Sequence, residues 1–331
     1  MDYRFLGHTG LRVSELVMGT MAFGGDADEK TSAELYGLCR EAGINTFDCA
    51  DAYSGGRAEE ILGSLIRDER DQVVIASKGY FPRAGAGPND RGSSRYHLVS
   101  AVEASLRRLH TDRIDIYFLH RFDDETRLED TLRALEDLVH AGKILYPAAS
   151  NFAAWHVAKA LGIQARQGYE PFCCIQPMYN LVKRQAEVEI LPQALAEGIG
   201  VLPYSPLGAG LLTGKYGADK RPSAGRILDS PLYATRYGED LNFAIADGFA
   251  SLAAARGISP VALAIAWVAA HPAVTAPLIG ARNREQLLGC LAATEVTLDD
   301  ELYAAIAALS PTPPLATDRN EEGSANNFGA R

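Results

Sequence analysis

Residues 44–53 read INTFDCADAY, in which a short apolar run, 44–47, is followed at once by Asp48 and five residues later by Tyr53. A short apolar run that ends in polar residues predicts a buried strand. Ionisable side chains placed directly after such a strand are typical of the loops in which parallel α/β folds carry function. The same combination recurs along the chain, and this repetition predicts the fold.

Strand and helix patterns alternate through the whole sequence. Apolar runs rich in β-branched residues predict eight strands, near 15–18, 44–47, 73–77, 114–119, 144–149, 172–176, 199–203 and 275–279. Between them, apolar residues at helical spacing predict helices near 30–42, 57–68, 96–109, 127–141, 152–166, 186–197, 239–270 (broken) and 283–293. Eight alternating units of this kind predict an α/β fold of the (β/α)8 TIM barrel type.

The main structural alternative is an open, doubly wound sheet. Such a sheet normally carries a G-x-G-x-x-G turn after its first strand. Here the first strand runs into Gly19-Thr20-Met21-Ala22-Phe23-Gly24-Gly25, which does not fit that spacing. The closed barrel is therefore favoured.

Several segments lie outside the alternating pattern. Residues 3–6 and 11–13 flank GHTG at 7–10 and predict a β-hairpin that plugs the bottom of the barrel. Two long loops are expected at 79–95 and 204–238. We expect a single domain over 1–331 with a polar C-terminal tail at 309–331. Pro147 is unusual, because proline removes a hydrogen-bond donor from the predicted strand 144–149.

Composition and charge exclude some classes of function. The net charge of −10 disfavours nucleic-acid binding. No run of about 20 apolar residues predicts a membrane span, and MDYRFLGHTG at the start lacks the features of a signal peptide. We therefore expect a cytoplasmic protein. Five cysteines without C-x-x-C spacing predict reduced thiols, buried in the core: Cys39, Cys49, Cys173, Cys174 and Cys290.

Polar residues follow every predicted strand, and in a barrel these positions meet at one end. Four of them are ionisable and follow three consecutive strands: Asp48, Tyr53, Lys78 and His120. A tyrosine pKa near 10 is too high for efficient proton exchange at neutral pH, and an ammonium group beside it would lower that pKa. Asp48 would hold Lys78, while His120 would orient a substrate carbonyl. No pattern of metal ligands is visible, so no metal is expected.

The sequence resembles the aldo-keto reductase superfamily, most closely the branch with potassium-channel β-subunits and many bacterial reductases. The matching stretches are Gly19-Thr20-Met21, INTFDCADAY (44–53), VIASKG (74–79), IDIYFLH (114–120), GKI and ASNF (142–152), IQPMYN (175–180), YSPLGAGLLTGKY (204–216) and IGAR with QL (279–287). They occur in order over almost the whole chain. The resemblance implies NADPH-dependent reduction of an aldehyde or ketone to an alcohol, with the proton donated by Tyr53.

The resemblance also implies further site residues. The cofactor NADPH/NADP, with NADH bound more weakly, would contact Gly19, Thr20, Met21, Asp48, Ser150, Asn151, Gln176, Tyr204, Ser205, Pro206, Leu207, Gly208, Lys215, Arg226, Gly280, Arg282 and Gln286. Arg282 would hold the 2′-phosphate. The branch often has an acidic residue and an asparagine at the positions of Gly289 and Cys290, so both adenine contacts are absent here. A small carbonyl substrate would contact Phe23, Tyr53, His120 and Arg121, and Arg83 with Arg121 would favour an anionic one.

Two other functions remain open at this stage. The chain would serve as a nucleotide-bound regulatory subunit with incidental turnover if it acted like the channel β-subunits. It would be a barrel lyase or isomerase if it bound no nicotinamide. The sequence determines neither the substrate nor the oligomeric state.

Overall fold

The structure is a computed structural model that describes residues 1–82, 87–319 and 321. A two-stranded hairpin, β1 (Tyr3–Phe5) and β2 (Arg12–Ser14), precedes the barrel. The barrel strands are β3 (Val17–Gly19), β4 (Thr46–Asp48), β5 (Val74–Gly79), β6 (Ile114–Leu119), β7 (Ile144–Ser150), β8 (Cys174–Gln176), β9 (Gly200–Val201) and β10 (Leu278–Ile279).

All eight barrel strands pair in parallel, in the order β10-β3-β4-β5-β6-β7-β8-β9. The amide of Thr275 donates to the Val201 carbonyl at 2.9 Å, and the amide of Leu278 donates to the Pro203 carbonyl at 2.9 Å. These bonds join the two outer strands of that order. The predicted (β/α)8 barrel is confirmed, and its strands end on one rim, as the site prediction requires.

Helices cover the outside of the sheet. They are α1 (Glu29–Glu41), α2 (Arg57–Leu65), α3 (Arg95–Leu109), α4 (Leu128–His140), α5 (Ala154–Gln167), α6 (Ile190–Glu197), α7 (Arg226–Asp229), α8 (Pro231–Tyr237), α9 (Asp240–Ala255), α10 (Pro260–Ala269), α11 (Arg284–Leu291) and α12 (Asp300–Ala307). Capping side chains define several starts: Asp28 accepts from the Thr31 amide at 2.8 Å, and Asn283 accepts from the Gln286 amide at 3.0 Å.

Every predicted strand and helix exists, but the boundaries differ. Strands predicted at 199–203 and 275–279 shrink to two residues each, although Leu202 and Thr275 outside them still donate backbone hydrogen bonds to neighbouring strands. The predicted loop 204–238 is wrong in part, since it holds α7, α8 and a 3₁₀ segment at Gly208–Thr213. Helix α12 was not predicted.

The hairpin lies at the bottom of the barrel, as predicted. Leu6 and Val13 are fully buried and pack in one cluster with inward-facing barrel residues such as Val17, Val74 and Ile116. Gly7 allows the close approach: it has φ +52°, and a Cβ there would lie 2.9 Å from the Gly198 carbonyl oxygen. The hairpin thus fills the end of the barrel opposite the strand C-termini.

Pro147 costs the sheet little at its position in β7. Its carbonyl accepts from the Cys173 amide at 3.0 Å, so its nitrogen faces the same side, towards β8. Strand β8 begins only at Cys174 and pairs with β7 from Ala149 onward. The donor that proline lacks would therefore lie just before the two strands pair.

A buried ion pair joins α2, α3 and β5 behind the strand that carries Lys78. Glu59 is fully buried; its carboxylate accepts from the Ser77 hydroxyl at 2.5 Å and from Arg108 Nε at 2.7 Å. Helix α2 begins directly after the turn that carries Tyr53, and Ser77 precedes Lys78. Glu59 therefore connects the two segments that carry Tyr53 and Lys78.

Two other sequence predictions bear on the fold. All five cysteines are free and buried, as predicted. No single helix in the described part of the chain is long and apolar enough to cross a membrane; α9 and α10 meet that test only as a pair, bent by 101°.

We predict that Glu59→Ala lowers the free energy of unfolding by about 3–5 kcal/mol, because it leaves the Arg108 guanidinium largely buried without its partner. Glu60→Ala, next in sequence, is the control: its ion pair with Arg57 is half exposed, so its loss should cost less than about 1 kcal/mol. Urea denaturation of both variants measures the difference. Equal losses would contradict a structural role for the Glu59 network.

Candidate active site

The four ionisable residues predicted from the strand ends do converge at the C-terminal rim of the barrel. Lys78 is fully buried, and its Nζ lies 2.5 Å from Asp48 Oδ2 and 2.8 Å from the Cys49 carbonyl. The same ammonium lies 3.4 Å from the Tyr53 hydroxyl oxygen. The rings of Tyr53 and His120 meet edge to face, with centroids 6.0 Å apart. A tyrosine hydroxyl, a buried cation and an imidazole therefore share one site.

A hydrogen-bond chain extends this site to the ends of β7 and β8. Gln176 Nε2 donates to the other oxygen of Asp48 at 2.8 Å, and the Ser150 hydroxyl donates to the Gln176 carbonyl at 2.9 Å. Asn151 Nδ2 donates to the His120 carbonyl at 2.8 Å, and the Tyr204 hydroxyl donates to Asn151 Oδ1 at 2.8 Å. Residues from β4 to the segment after β9 are thus fixed relative to one another.

Backbone conformation at the rim is unusual for non-glycine residues. Asn151 has φ +57°, Ser205 has φ +60°, and Ser54, next to Tyr53, has φ +49°. Such left-handed residues are uncommon outside glycine and cluster at functional sites. Ser54 is held there because its hydroxyl donates to the Phe23 carbonyl at 2.8 Å. The turn that presents Tyr53 is therefore anchored to the loop after β3.

Burial and charge act in opposite directions on the titratable groups. Burial raises the pKa of Tyr53 to about 12, although the Lys78 charge lowers it. Lys78 thus lowers the Tyr53 pKa as expected, but desolvation of the phenolate outweighs the cation, so the pKa lies above its ordinary value. Burial lowers the pKa of Lys78, but the charges of Asp48 and Tyr53 outweigh burial and raise it overall. Burial, followed by the charge of Lys78, lowers the pKa of His120 to about 3.

The site opens into a cavity of about 1490 Å³. Tyr53 and His120 line one part of it, and three cationic side chains line another. Most of the predicted site residues line it as well: Gly19, Met21, Asp48, Arg121, Ser150, Asn151, Gln176, Tyr204, Ser205, Pro206, Leu207, Lys215, Arg226, Gly280, Arg282 and Gln286. Gly289 and Cys290 also line it.

The three cations come from two connections: Lys215 and Arg226 lie between β9 and α9, and Arg282 lies between β10 and α11. Arg282 Nε lies 3.0 Å from Asp26 Oδ2, and Arg226 lies 3.7 Å from the same oxygen. Burial lowers the pKa of Lys215, and the charges of Arg282 and Arg226 lower it further. Five cavity-lining side chains are cationic when Arg121 and Arg236 are included. This density of positive charge in a protein of net charge −10 suits a polyanionic ligand.

Three predicted contact residues do not line the cavity. Phe23 is fully buried in the main core, so its prediction as a substrate contact is wrong: the loop after β3 turns the ring inward. Thr20 is fully buried, and its hydroxyl donates to the Asp48 carbonyl at 3.0 Å. Gly208 is buried beneath Leu207 and Ala209, which line the cavity. Arg83 lies outside the described residues.

Three cavity residues on α8 were not predicted: Leu232, Tyr233 and Arg236. The sequence contains a signal for that helix. Ser230 is followed by Pro231 at the first helical position, and Gly238 follows the last residue. Serine, proline and glycine at these places are helix start and stop signals. The surrounding sequence is rich in glycine and proline, however, and therefore predicts a loop.

The described residues contain no group of three or more His, Cys, Asp or Glu side chains placed to hold a metal ion. The chemistry of the site is that of a proton donor beside a buried cation, next to a cavity for a large anion.

Comparison with known proteins agrees with this geometry. The family model "Aldo/keto reductase family" matches residues 15–311. The chain belongs to the aldo/keto reductase family. Members of this family generally use nicotinamide cofactors. The family resemblance noted in the sequence is thereby confirmed, and the cavity has both parts that a nicotinamide dinucleotide needs, a polar site and a cationic end.

Relatives of this aldo/keto reductase are similar over nearly their whole length. An "Uncharacterized oxidoreductase YrpG" from Bacillus subtilis (strain 168) is 38% identical over 95% of this chain and 97% of its own. A "Probable voltage-gated potassium channel subunit beta" from Oryza sativa subsp. japonica is 36% identical over 96% and 99%. A "Versiconal hemiacetal acetate reductase" from Aspergillus parasiticus is 32% identical over 91% and 94%.

We predict that the His120 imidazole stays neutral down to about pH 4 in the folded protein, because its pKa is lowered to about 3. The unfolded chain takes up this proton below about pH 6.5. His120 therefore costs no stability above pH 6.5, and its cost grows as the pH falls from 6.5 towards 3. NMR titration of the imidazole protons, with His120→Asn to assign the signal, measures this. Titration of His120 near pH 6.5 would refute the prediction.

Proposed function

We propose that this protein reduces an aldehyde or ketone to an alcohol with NADPH, with Tyr53 as the proton donor. One observation carries the proposal: the Tyr53 hydroxyl lies 3.4 Å from the buried Lys78 ammonium, in a cavity that also holds three clustered cations. The first feature suits proton transfer to a carbonyl oxygen, and the second suits the phosphates of a dinucleotide.

The bound nicotinamide supplies a hydride to the carbonyl carbon, and the protein's own groups handle the proton. The raised pKa of Tyr53 keeps its hydroxyl protonated at neutral pH, ready to donate to the oxygen as negative charge develops there. The Lys78 ammonium lessens the cost of the phenolate that remains. His120, which is neutral, donates a hydrogen bond that orients the carbonyl. Asp48 holds Lys78 in place through the 2.5 Å contact.

The cofactor fits the residues that line the cavity. Ser150, Asn151 and Gln176 would hold the carboxamide of the nicotinamide, and Tyr204, fixed by Asn151, would stack on the ring. The 205–208 segment, with Lys215 and Arg226, would hold the pyrophosphate. Gly19 and Met21 would line the nicotinamide end, and Gly280 and Gln286 the adenosine end. Thr20 and Gly208 would shape the site from behind.

Arg282 would select the phosphorylated cofactor. It precedes α11, whose first amides favour an anion, and the guanidinium of Arg282 would bind the phosphate as a charged hydrogen-bond donor. The five reduced cysteines support the further expectation that the protein works in the cytoplasm.

A regulatory subunit is the second candidate function, favoured by the 36% identity to probable potassium-channel β-subunits. A steady-state assay with aldehydes and NADPH separates the two. Sustained turnover supports the reductase, while tight NADPH binding without turnover supports the regulatory function.

Tyr53→Phe removes the proton donor but keeps the ring, so we predict that kcat falls by about 10²–10⁴. The dissociation constant for NADPH, measured by fluorescence titration, should stay within about twofold of the wild-type value. Tyr80→Phe, a neighbouring tyrosine that does not line the cavity, is the control and should keep its kcat. Near-normal carbonyl reduction by Tyr53→Phe would show that another group supplies the proton.

Arg282→Ala should weaken NADPH by tenfold or more and NADH far less, because a charge-assisted pair with phosphate contributes about 1.5–3 kcal/mol. Arg284→Ala is the matched control: Arg284 is exposed, pairs with Glu34 at 3.4 Å and does not line the cavity. Titration of both cofactors against both variants gives the four dissociation constants. Equal losses for the two cofactors, or a wild-type preference for NADH, would contradict the assignment of Arg282.

A further inference from the structure

Two arginines that line the cavity have no acidic partner among the described residues. Arg121, directly after His120, and Arg236, on α8, both line the cavity. Neither makes an ion pair with any acidic side chain in the described part of the chain. Arg226 and Arg282, by contrast, share the Asp26 carboxylate. Two unneutralised guanidinium groups facing a cavity indicate an anionic ligand for them.

Arg121 follows His120 directly in the chain, and both residues line the cavity. The Arg121 guanidinium stacks over the Tyr80 ring at 5.5 Å, and the rings of Tyr80, Phe81 and His120 follow one another at 5.2 and 4.9 Å between centroids. Arg121 thus reaches back over an aromatic wall that ends at the imidazole.

Arg236 lies near Tyr204, which belongs to the hydrogen-bond chain at the rim. Its charge acts on Tyr204, lowering a pKa that burial raises. Tyr204 donates to Asn151, and Asn151 donates to the His120 carbonyl. Arg236 also stacks on the Tyr233 ring at 5.6 Å, and Arg226 contacts the same ring at 5.7 Å. The Tyr233 ring therefore contacts both Arg236 and Arg226, and of these two arginines only Arg226 pairs with Asp26.

Apolar side chains form much of the remaining wall near the mouth. Met21, Phe81 and Leu232 line the cavity and are 40%, 37% and 60% exposed. A ligand that covers such exposed apolar surface gains binding free energy, because the surface is removed from water. A ligand for this region would have an apolar body and a terminal negative charge.

We propose that the substrate is an anionic carbonyl compound, with an apolar body and a carboxylate or phosphate that Arg121 and Arg236 bind. This inference rests on the proposed reductase function. The anion would be held away from Tyr53 while the carbonyl oxygen reaches Tyr53 and His120. The two arginines are then specificity residues, and they act mainly on substrate binding.

The test compares matched substrates with NADPH at saturation. For the carboxylate arm, 4-carboxybenzaldehyde is set against 4-carbamoylbenzaldehyde, which has the same shape without the charge. For the phosphate arm, 4-formylphenyl phosphate is set against 4-methoxybenzaldehyde, whose ether oxygen carries no charge. We expect kcat/KM to be about tenfold or more higher for an anionic substrate than for its neutral partner, the usual effect of a charge-assisted hydrogen bond. The arm with the larger ratio identifies the anion.

Variants then assign the effect to the two arginines. Arg121→Gln and Arg236→Gln should each raise KM for the anionic aldehyde at least about fivefold and leave kcat, and kinetics with the neutral aldehyde, nearly unchanged. Arg127→Gln is the control, because Arg127 is exposed, lies close in sequence and does not line the cavity. Its kinetics should match those of the wild type.

Three results would overturn the inference. The first is equal kcat/KM for a charged aldehyde and its neutral partner. The second is that Arg121→Gln and Arg236→Gln lower kcat/KM equally for the charged and the neutral aldehyde. The third is that these variants bind NADPH more weakly, by enough to explain the fall in kcat/KM. Absence of turnover with all four aldehydes would overturn the proposed function instead. Calorimetric titration of the same compounds into the NADPH-loaded protein would then test the inference separately, since charge-dependent binding needs no turnover.

Discussion

The ion pair between Lys78 and Asp48 is the interaction on which the rest of the site depends. Both side chains are almost completely buried, and removing two charges from water costs several kcal/mol for each ion. Only further hydrogen bonds offset such a cost, and the structure supplies them. The backbone carbonyl of Cys49 accepts from the Lys78 ammonium, and the Gln176 side chain donates to the Asp48 carboxylate. The pair is stable only where β4, β5 and β8 end at the same level. A closed barrel provides that arrangement, and it also places the Tyr53 hydroxyl beside the ammonium.

The distribution of charge differs between the cavity and the protein as a whole. The protein carries ten more negative than positive charges, yet its large cavity is lined by arginines and a lysine. A polyanionic cofactor would be attracted to this cavity and not to the rest of the surface. The low dielectric around Tyr53 and His120 has another consequence. It keeps the hydroxyl of Tyr53 protonated and the imidazole of His120 neutral, so both groups are hydrogen-bond donors at neutral pH.

The site was predictable to the extent that it depends on strand ends. Asp48, Lys78 and Gln176 stand at or directly beside the ends of strands, and a parallel barrel brings such positions together without further information. Residues on the loops behave differently. Phe23 turned out to be core, and Arg236 was missed, because the path of a long loop depends on tertiary contacts such as the Ser54 bond to the Phe23 carbonyl. Local residue patterns contain little information about such contacts.

The amino-acid sequence by itself determined the barrel, its hairpin, the order of the elements and the residues that meet at the rim. These features follow from the period of apolar residues and from polar side chains at strand ends, which are local properties of the chain. Only the tertiary structure decided which way the Tyr53 pKa shifts, since the balance between burial and the Lys78 charge depends on the depth of both groups. It alone also decided which arginines are neutralised by Asp26 and which are not. Both questions concern distances between segments far apart in the chain, and those distances are set by packing.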